Sequence, residues 1–129
     1  MLTLYKILSL AIVLGIIVFV HELGHFIAAR LMKVRVETFS FGFGKRLFGK
    51  KFGDTDIRFS LIPLGGYVKM AGEEDYEAKD PKPDEFSAKN RAQKIFILLM
   101  GPAMNLFLAF FIMAIINVTG VEVAQYRSQ

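Results

Sequence analysis

Ile7-Leu8-Ser9-Leu10-Ala11-Ile12-Val13-Leu14-Gly15-Ile16-Ile17-Val18-Phe19-Val20-His21-Glu22-Leu23-Gly24-His25 decides how this chain is read. The part before His21 carries no charge, as in a segment that crosses a bilayer. The end of the stretch sets two imidazoles and a carboxylate at membrane depth. Ionisable groups are costly there, so function is the first explanation to test. On a helix His21 and His25 are four residues apart and share a face, about 40° apart; Glu22 is turned about 100° from His21. Two imidazoles so spaced can ligate one tetrahedral Zn²⁺, each through one ring nitrogen. Zinc brings the pKa of water toward about 7, and Glu22 can then take the water proton and return it to the leaving amine of a cleaved peptide bond. A bridge between helices would explain one histidine; it does not explain His-Glu-x-x-His.

The 129 residues are 53% hydrophobic, with 13 Phe, 6 Met and no Trp. That composition suits an integral membrane protein better than a soluble domain. The absence of cysteine excludes disulfides and thiolate metal sites, leaving His, Asp, Glu or water as ligands. Two apolar segments, 4–32 and 95–118, can each supply the roughly 20 residues a hydrocarbon core requires. The linker 33–94 holds 13 of the 16 Lys and Arg residues; Lys6 and Arg127 lie in the outer flanks. By the positive-inside rule the linker is cytoplasmic and both ends are outside. The net charge of +4 then reads as a determinant of topology and lipid contact, not of nucleic-acid binding. A cleaved signal peptide is disfavoured, because the helical pattern continues past His21 without a small-residue cleavage site.

The expected fold is therefore mainly α: two transmembrane helices joined by a cytoplasmic-side linker with a small membrane-associated antiparallel β-sheet, a re-entrant β-loop. Residues 1–32 form the first span, with Gly15, Gly24, Ala28 and Ala29 permitting close helix approach. Residues 33–72 are β-rich: 34–41, 56–62 and 67–71 alternate like strands, 45–53 suits a basic surface turn, and Pro63-Leu64-Gly65-Gly66 another turn. Residues 73–94 form an acidic cytoplasmic loop and a short juxtamembrane helix that Ser87 caps. Residues 95–120 form the second span, with Pro102 able to kink it. There Asn105 needs a partner in hydrocarbon, either across the helices or at the active site and its substrate. Residues 121–129 are an extracytoplasmic tail.

Catalytic zinc normally has three protein ligands and an open position. The sequence offers two, with no further His. Asp54, Asp56 and the acidic loop have no matching context, so the third is expected on a segment beyond this chain.

With these residues in view, the chain resembles the site-2 protease family of intramembrane zinc metalloproteases, in its bacterial regulator-of-sigma-E branch. The resemblance covers nearly the whole chain and rests on four motifs in order: Val20-His21-Glu22-Leu23-Gly24-His25-Phe26; Phe39-Ser40-Phe41-Gly42-Phe43-Gly44; Ile62-Pro63-Leu64-Gly65-Gly66-Tyr67-Val68-Lys69-Met70; and Gly101-Pro102-Ala103-Met104-Asn105. It implies Zn²⁺ on His21 and His25, with Glu22 as general base. It also implies a β-loop that receives an extended substrate segment by strand addition, with Gly65, Gly66 and Asn105 serving substrate. It implies a multi-pass protein of the bacterial inner membrane that cuts transmembrane proteins, such as anti-sigma factors or signal-peptide remnants. In the family a periplasmic PDZ region follows near 121–129, and a later Leu-Asp-Gly span supplies the third zinc ligand. No Leu-Asp-Gly occurs here, so this chain is expected to be the N-terminal part of such an enzyme. The alternative is a non-catalytic membrane module or pseudoprotease fragment that holds a peptide without cutting it. A metal transporter fits less well, since transport usually needs several polar spans.

Overall fold

A computed structural model describes residues 1–75 and 77–120. Helix α1 (Leu2–Leu31) is followed by strands β1 (Val36–Phe52) and β2 (Thr55–Met70). A single 3₁₀ turn (Phe86–Ala88) then leads into helix α2 (Arg91–Thr119). Two long apolar helices and a small antiparallel sheet match the expected elements. The tail 121–129 lies outside the described residues.

Each helix is long and apolar enough to cross a bilayer. Neither is buried among the described residues. The most apolar window of α1 is 0% buried and that of α2 11%. Leu4, Ile7, Leu10, Ile12, Leu106, Phe107 and Phe110 all stand exposed.

α1 stops by geometry. Lys33 adopts φ 57°, its N–H bonds Arg30 O at 3.1 Å, and Val34 N–H bonds Ala29 O at 2.8 Å. This is a Schellman closure with lysine where glycine is usual. α2 starts with a capping box: Asn90 Oδ1 accepts from Gln93 N–H at 2.9 Å, and Gln93 Oε1 accepts from Asn90 N–H at 3.1 Å. Ser87 sits instead in the 3₁₀ turn, so the juxtamembrane helix is the first turn of α2. The reciprocal Asn90–Gln93 pair satisfies two backbone donors where a serine alone would satisfy one.

β1 and β2 pair antiparallel, and both are bent. Residues 36–41 run against 66–70, whereas 46–52 run against 55–60. Thr38–Phe41 also have partners in Asp56–Phe59, running in the same direction. Four half-strands therefore lie side by side in the order 46–52, 55–60, 36–41, 66–70. The bend in β1 uses Gly42 (φ 88°) and Gly44 (φ 83°), a backbone region that L side chains resist. Residues 45–52 are thus strand and not the expected turn. Their alternation was masked by lysines and glycines, and they are held by 55–60.

An aromatic stack ties this sheet to α1. Phe26, Phe39, Phe19, Phe41, Phe59 and Phe48 follow one another at centroid distances of 5.4, 5.8, 4.7, 4.8 and 4.9 Å. The compact core lies where α1, α2 and the base of the sheet meet: Ala28, Ala29, Val34, Val36, Met70, Phe86 and Ile97. The acidic segment is docked there. Arg35 N–H bonds Asp84 O at 2.8 Å, the Arg35 guanidinium meets the Asp84 carboxylate at 2.8 Å, and Phe86 N–H bonds Ala71 O at 2.8 Å. Gly24 is buried, and a Cβ there would overlap the carbonyl oxygen of Met100. It sets how closely α1 and α2 cross. Gly15, expected to act likewise, has open space around it and borders a cavity.

Candidate metal centre

His21 and His25 turn toward α2 at this crossing. Their Nε2 atoms lie 3.1 Å apart, with the rings edge to face. Two nitrogens on one tetrahedral zinc, at about 2.0–2.1 Å each, would be roughly 3.3 Å apart. Each ring is held from behind. His25 Nδ1 donates to the Ile97 carbonyl at 2.9 Å, which fixes the tautomer and leaves the Nε2 lone pair available. His21 Nδ1 lies 3.2 Å from Asn105 Nδ2.

Gly101 makes the room. A Cβ there would lie 2.5 Å from His25 Nε2 and 2.7 Å from His21 Nε2. Ile97, Gly101 and Asn105 recur every four residues, so one stripe of α2 supplies an orienting carbonyl, a clearing and an orienting amide. Pro102 removes the backbone hydrogen bond to the Leu98 carbonyl just beside that stripe.

Glu22 occupies the next face of α1 and is half-buried. Its carboxylate is reached by the backbone of Val68 on β2. The carboxylate thus stands between the two imidazoles and the outermost half-strand, 66–70.

The donor set fits zinc as far as it extends: two imidazoles with converging Nε2 atoms and each Nδ1 in contact with a polar partner. No group of three His, Cys, Asp or Glu gathers anywhere among the described residues. Asp56 is not a spare ligand, because Arg46 and Arg58 hold it at 3.2 and 2.8 Å. Gly65 and Gly66 sit in the bend of β2. A Cβ on Gly65 would strike the Phe43 ring and one on Gly66 the Ser40 carbonyl. Gly65 also borders a cavity of about 580 Å³ between α1 and the sheet, with Gly15, Ile16, Phe19, Phe41 and Pro63.

The Gly101 clearing, the Ile97 carbonyl and the Val68 backbone were missed from sequence. The four-residue spacing of Gly101 and Asn105 was the available signal for the first. Backbone groups leave no signal in residue type.

The site carries two imidazoles and a carboxylate in the His-Glu-x-x-His arrangement. Residues 9–127 match peptidase family M50, and the chain belongs to that family, the site-2 proteases. It is 44% identical over 117 residues to a provisionally named zinc metalloprotease of Campylobacter jejuni, covering 89% of this chain and 32% of the relative. A relative of the same description in Treponema pallidum is 40% identical over 132 residues, covering 96% and 29%. One in Clostridium acetobutylicum is 37% identical over 115 residues, covering 89% and 33%. The chain thus spans about a third of the length of the curated relatives it matches.

Proposed function

We propose that this chain is the N-terminal part of an intramembrane zinc metalloprotease that hydrolyses peptide bonds of transmembrane proteins. The observation that carries the reading is the pair of Nε2 atoms 3.1 Å apart at the crossing of two membrane-length helices, with Glu22 on the adjoining face. His21 and His25 would hold the metal, and a third ligand would come from a segment outside this chain. A bound zinc ion supplies Lewis acidity toward water and the scissile carbonyl. Glu22 accepts the proton of the attacking water and delivers it to the departing amine, a role worth about 10²–10⁴-fold in rate.

A transmembrane helix hides its peptide bonds, so a substrate must be extended before it is cut. The edge half-strand 66–70 presents backbone beside Glu22 and suits an added strand. The apolar cavity against Gly65 suits substrate side chains. The 13 basic residues of the linker support a cytoplasmic linker with the N-terminus outside, and the bacterial relatives support an inner membrane as the setting.

The test is cleavage of a single-span reporter substrate in proteoliposomes by the full-length protein that carries this chain. Wild type should cut it, and Glu22→Gln should lose at least about a hundredfold. Equal cleavage by both proteins, or none by either, would overturn the reading.

A further inference from the structure

The hydrogen bonds at the metal centre form an ordered chain. His25 Nδ1–H donates to Ile97 O at 2.9 Å, so His25 Nε2 is an acceptor. The 3.1 Å contact to His21 Nε2 is either a hydrogen bond, with the proton on His21, or the bite of one metal ion. In the first case His21 Nδ1 is an acceptor, facing the Asn105 amide nitrogen at 3.2 Å. In this arrangement Asn105 Oδ1 is buried without a hydrogen-bond partner.

Metal ligation is incompatible with that order. Both Nε2 atoms must offer lone pairs, so the His21 proton must move to Nδ1. The polar side-chain atom facing Nδ1 must then accept a hydrogen bond. Asn105 carries such an atom, the orphaned Oδ1, and half a turn about its χ2 exchanges Oδ1 with Nδ2 in nearly the same volume.

We infer that Asn105 is a positioning residue for His21: with its amide oxygen toward the ring, Oδ1 accepts from His21 Nδ1–H and holds the tautomer that ligates metal. The inference rests on the metal reading of the site. It assigns Asn105 to the protein's own imidazole, apart from any contact with substrate.

Aspartate and leucine at 105 separate this role from others. A carboxylate can only accept, so Asn105→Asp should preserve the loaded geometry; leucine can do neither. The experiment is zinc competition against a chromophoric chelator in detergent, on the full-length protein that carries this chain, as wild type, Asn105→Asp and Asn105→Leu. It is paired with ¹⁵N spectra of the same protein labelled at histidine, in which His21→Gln identifies the His21 signals. Asn105→Leu should bind zinc roughly tenfold to a hundredfold more weakly. Asn105→Asp should match or exceed wild type, and zinc-loaded wild type and Asn105→Asp should both show His21 protonated at Nδ1. Asn105→Asp losing affinity as Asn105→Leu does would overturn the inference by showing that a donor is needed; so would unchanged affinity in Asn105→Leu. Should leucine prevent folding, Asn105→Asp and the zinc-loaded spectra decide alone. Wild type that binds no zinc would overturn the metal reading beneath it, a separate outcome.

Discussion

Gly101 shows how much one hydrogen atom decides at this site. Its missing side chain is the space in which the two imidazoles meet, and a methyl would lie 2.5 and 2.7 Å from their Nε2 atoms. Gly101→Ala should therefore weaken zinc binding at least about tenfold while improving intrinsic helix propensity, measured by chelator competition beside circular dichroism. Unchanged affinity would show that the rings meet elsewhere. His21, Glu22 and His25 were legible in the sequence because helix geometry alone brings i and i+4 together. Gly101 was quoted in a motif without a role, since its role is the absence of atoms facing another helix. The Ile97 carbonyl was illegible for a firmer reason: any residue carries one.

At the scale of elements, the helix pair and the sheet were read correctly in kind and less well in extent. α1 and α2 follow from two apolar runs. Residues 45–52 read as a turn because Lys45, Gly49, Lys50, Lys51 and Gly53 suit one, yet they pair with 55–60. That pairing is a non-local fact. Ser87 reads as the cap of this helix, but Asn90, with Gln93 three residues later, caps it instead. Asn90→Ala should cost about 1 kcal/mol of stability, read from denaturant unfolding in detergent. Ser87→Ala should leave the start of α2 intact. The crossing of α1 and α2 depends on Gly24, whose Cβ would overlap Met100 O. Gly24→Val should push the helices apart and lower stability by about 1–3 kcal/mol.

For the whole molecule, the question is how the acidic segment stays attached to the helix pair. Arg35 beside Asp84 holds that carboxyl below its ordinary value of 3.8, first through their hydrogen bond and then by charge. A carboxylate depressed by folding contributes stability above its unfolded value and loses it as pH falls through the lower folded value. Docking of residues 77–88 should therefore be indifferent between pH 7 and about 5 and loosen below about 4. Hydrogen exchange at the Arg35 and Phe86 amides reads this, and Asp84→Asn should remove the pH dependence. Protection that persists unchanged below that range would assign the docking to Phe86 burial alone.

Topology belongs to the same scale. A cysteine placed at residue 3 should react with an impermeant thiol reagent from outside intact cells, and one at residue 79 only after lysis. The reverse pattern would invert the reading of the linker charges.

The claim on which the rest depends is that two imidazoles from one membrane-length helix gather a single zinc ion where α2 crosses it. X-ray absorption at the zinc edge of the loaded protein tests this directly. The account predicts two imidazole nitrogens at about 2.0–2.1 Å, with one lost in His21→Ala and one in His25→Ala. A zinc shell without imidazole, or one that neither substitution changes, would contradict it.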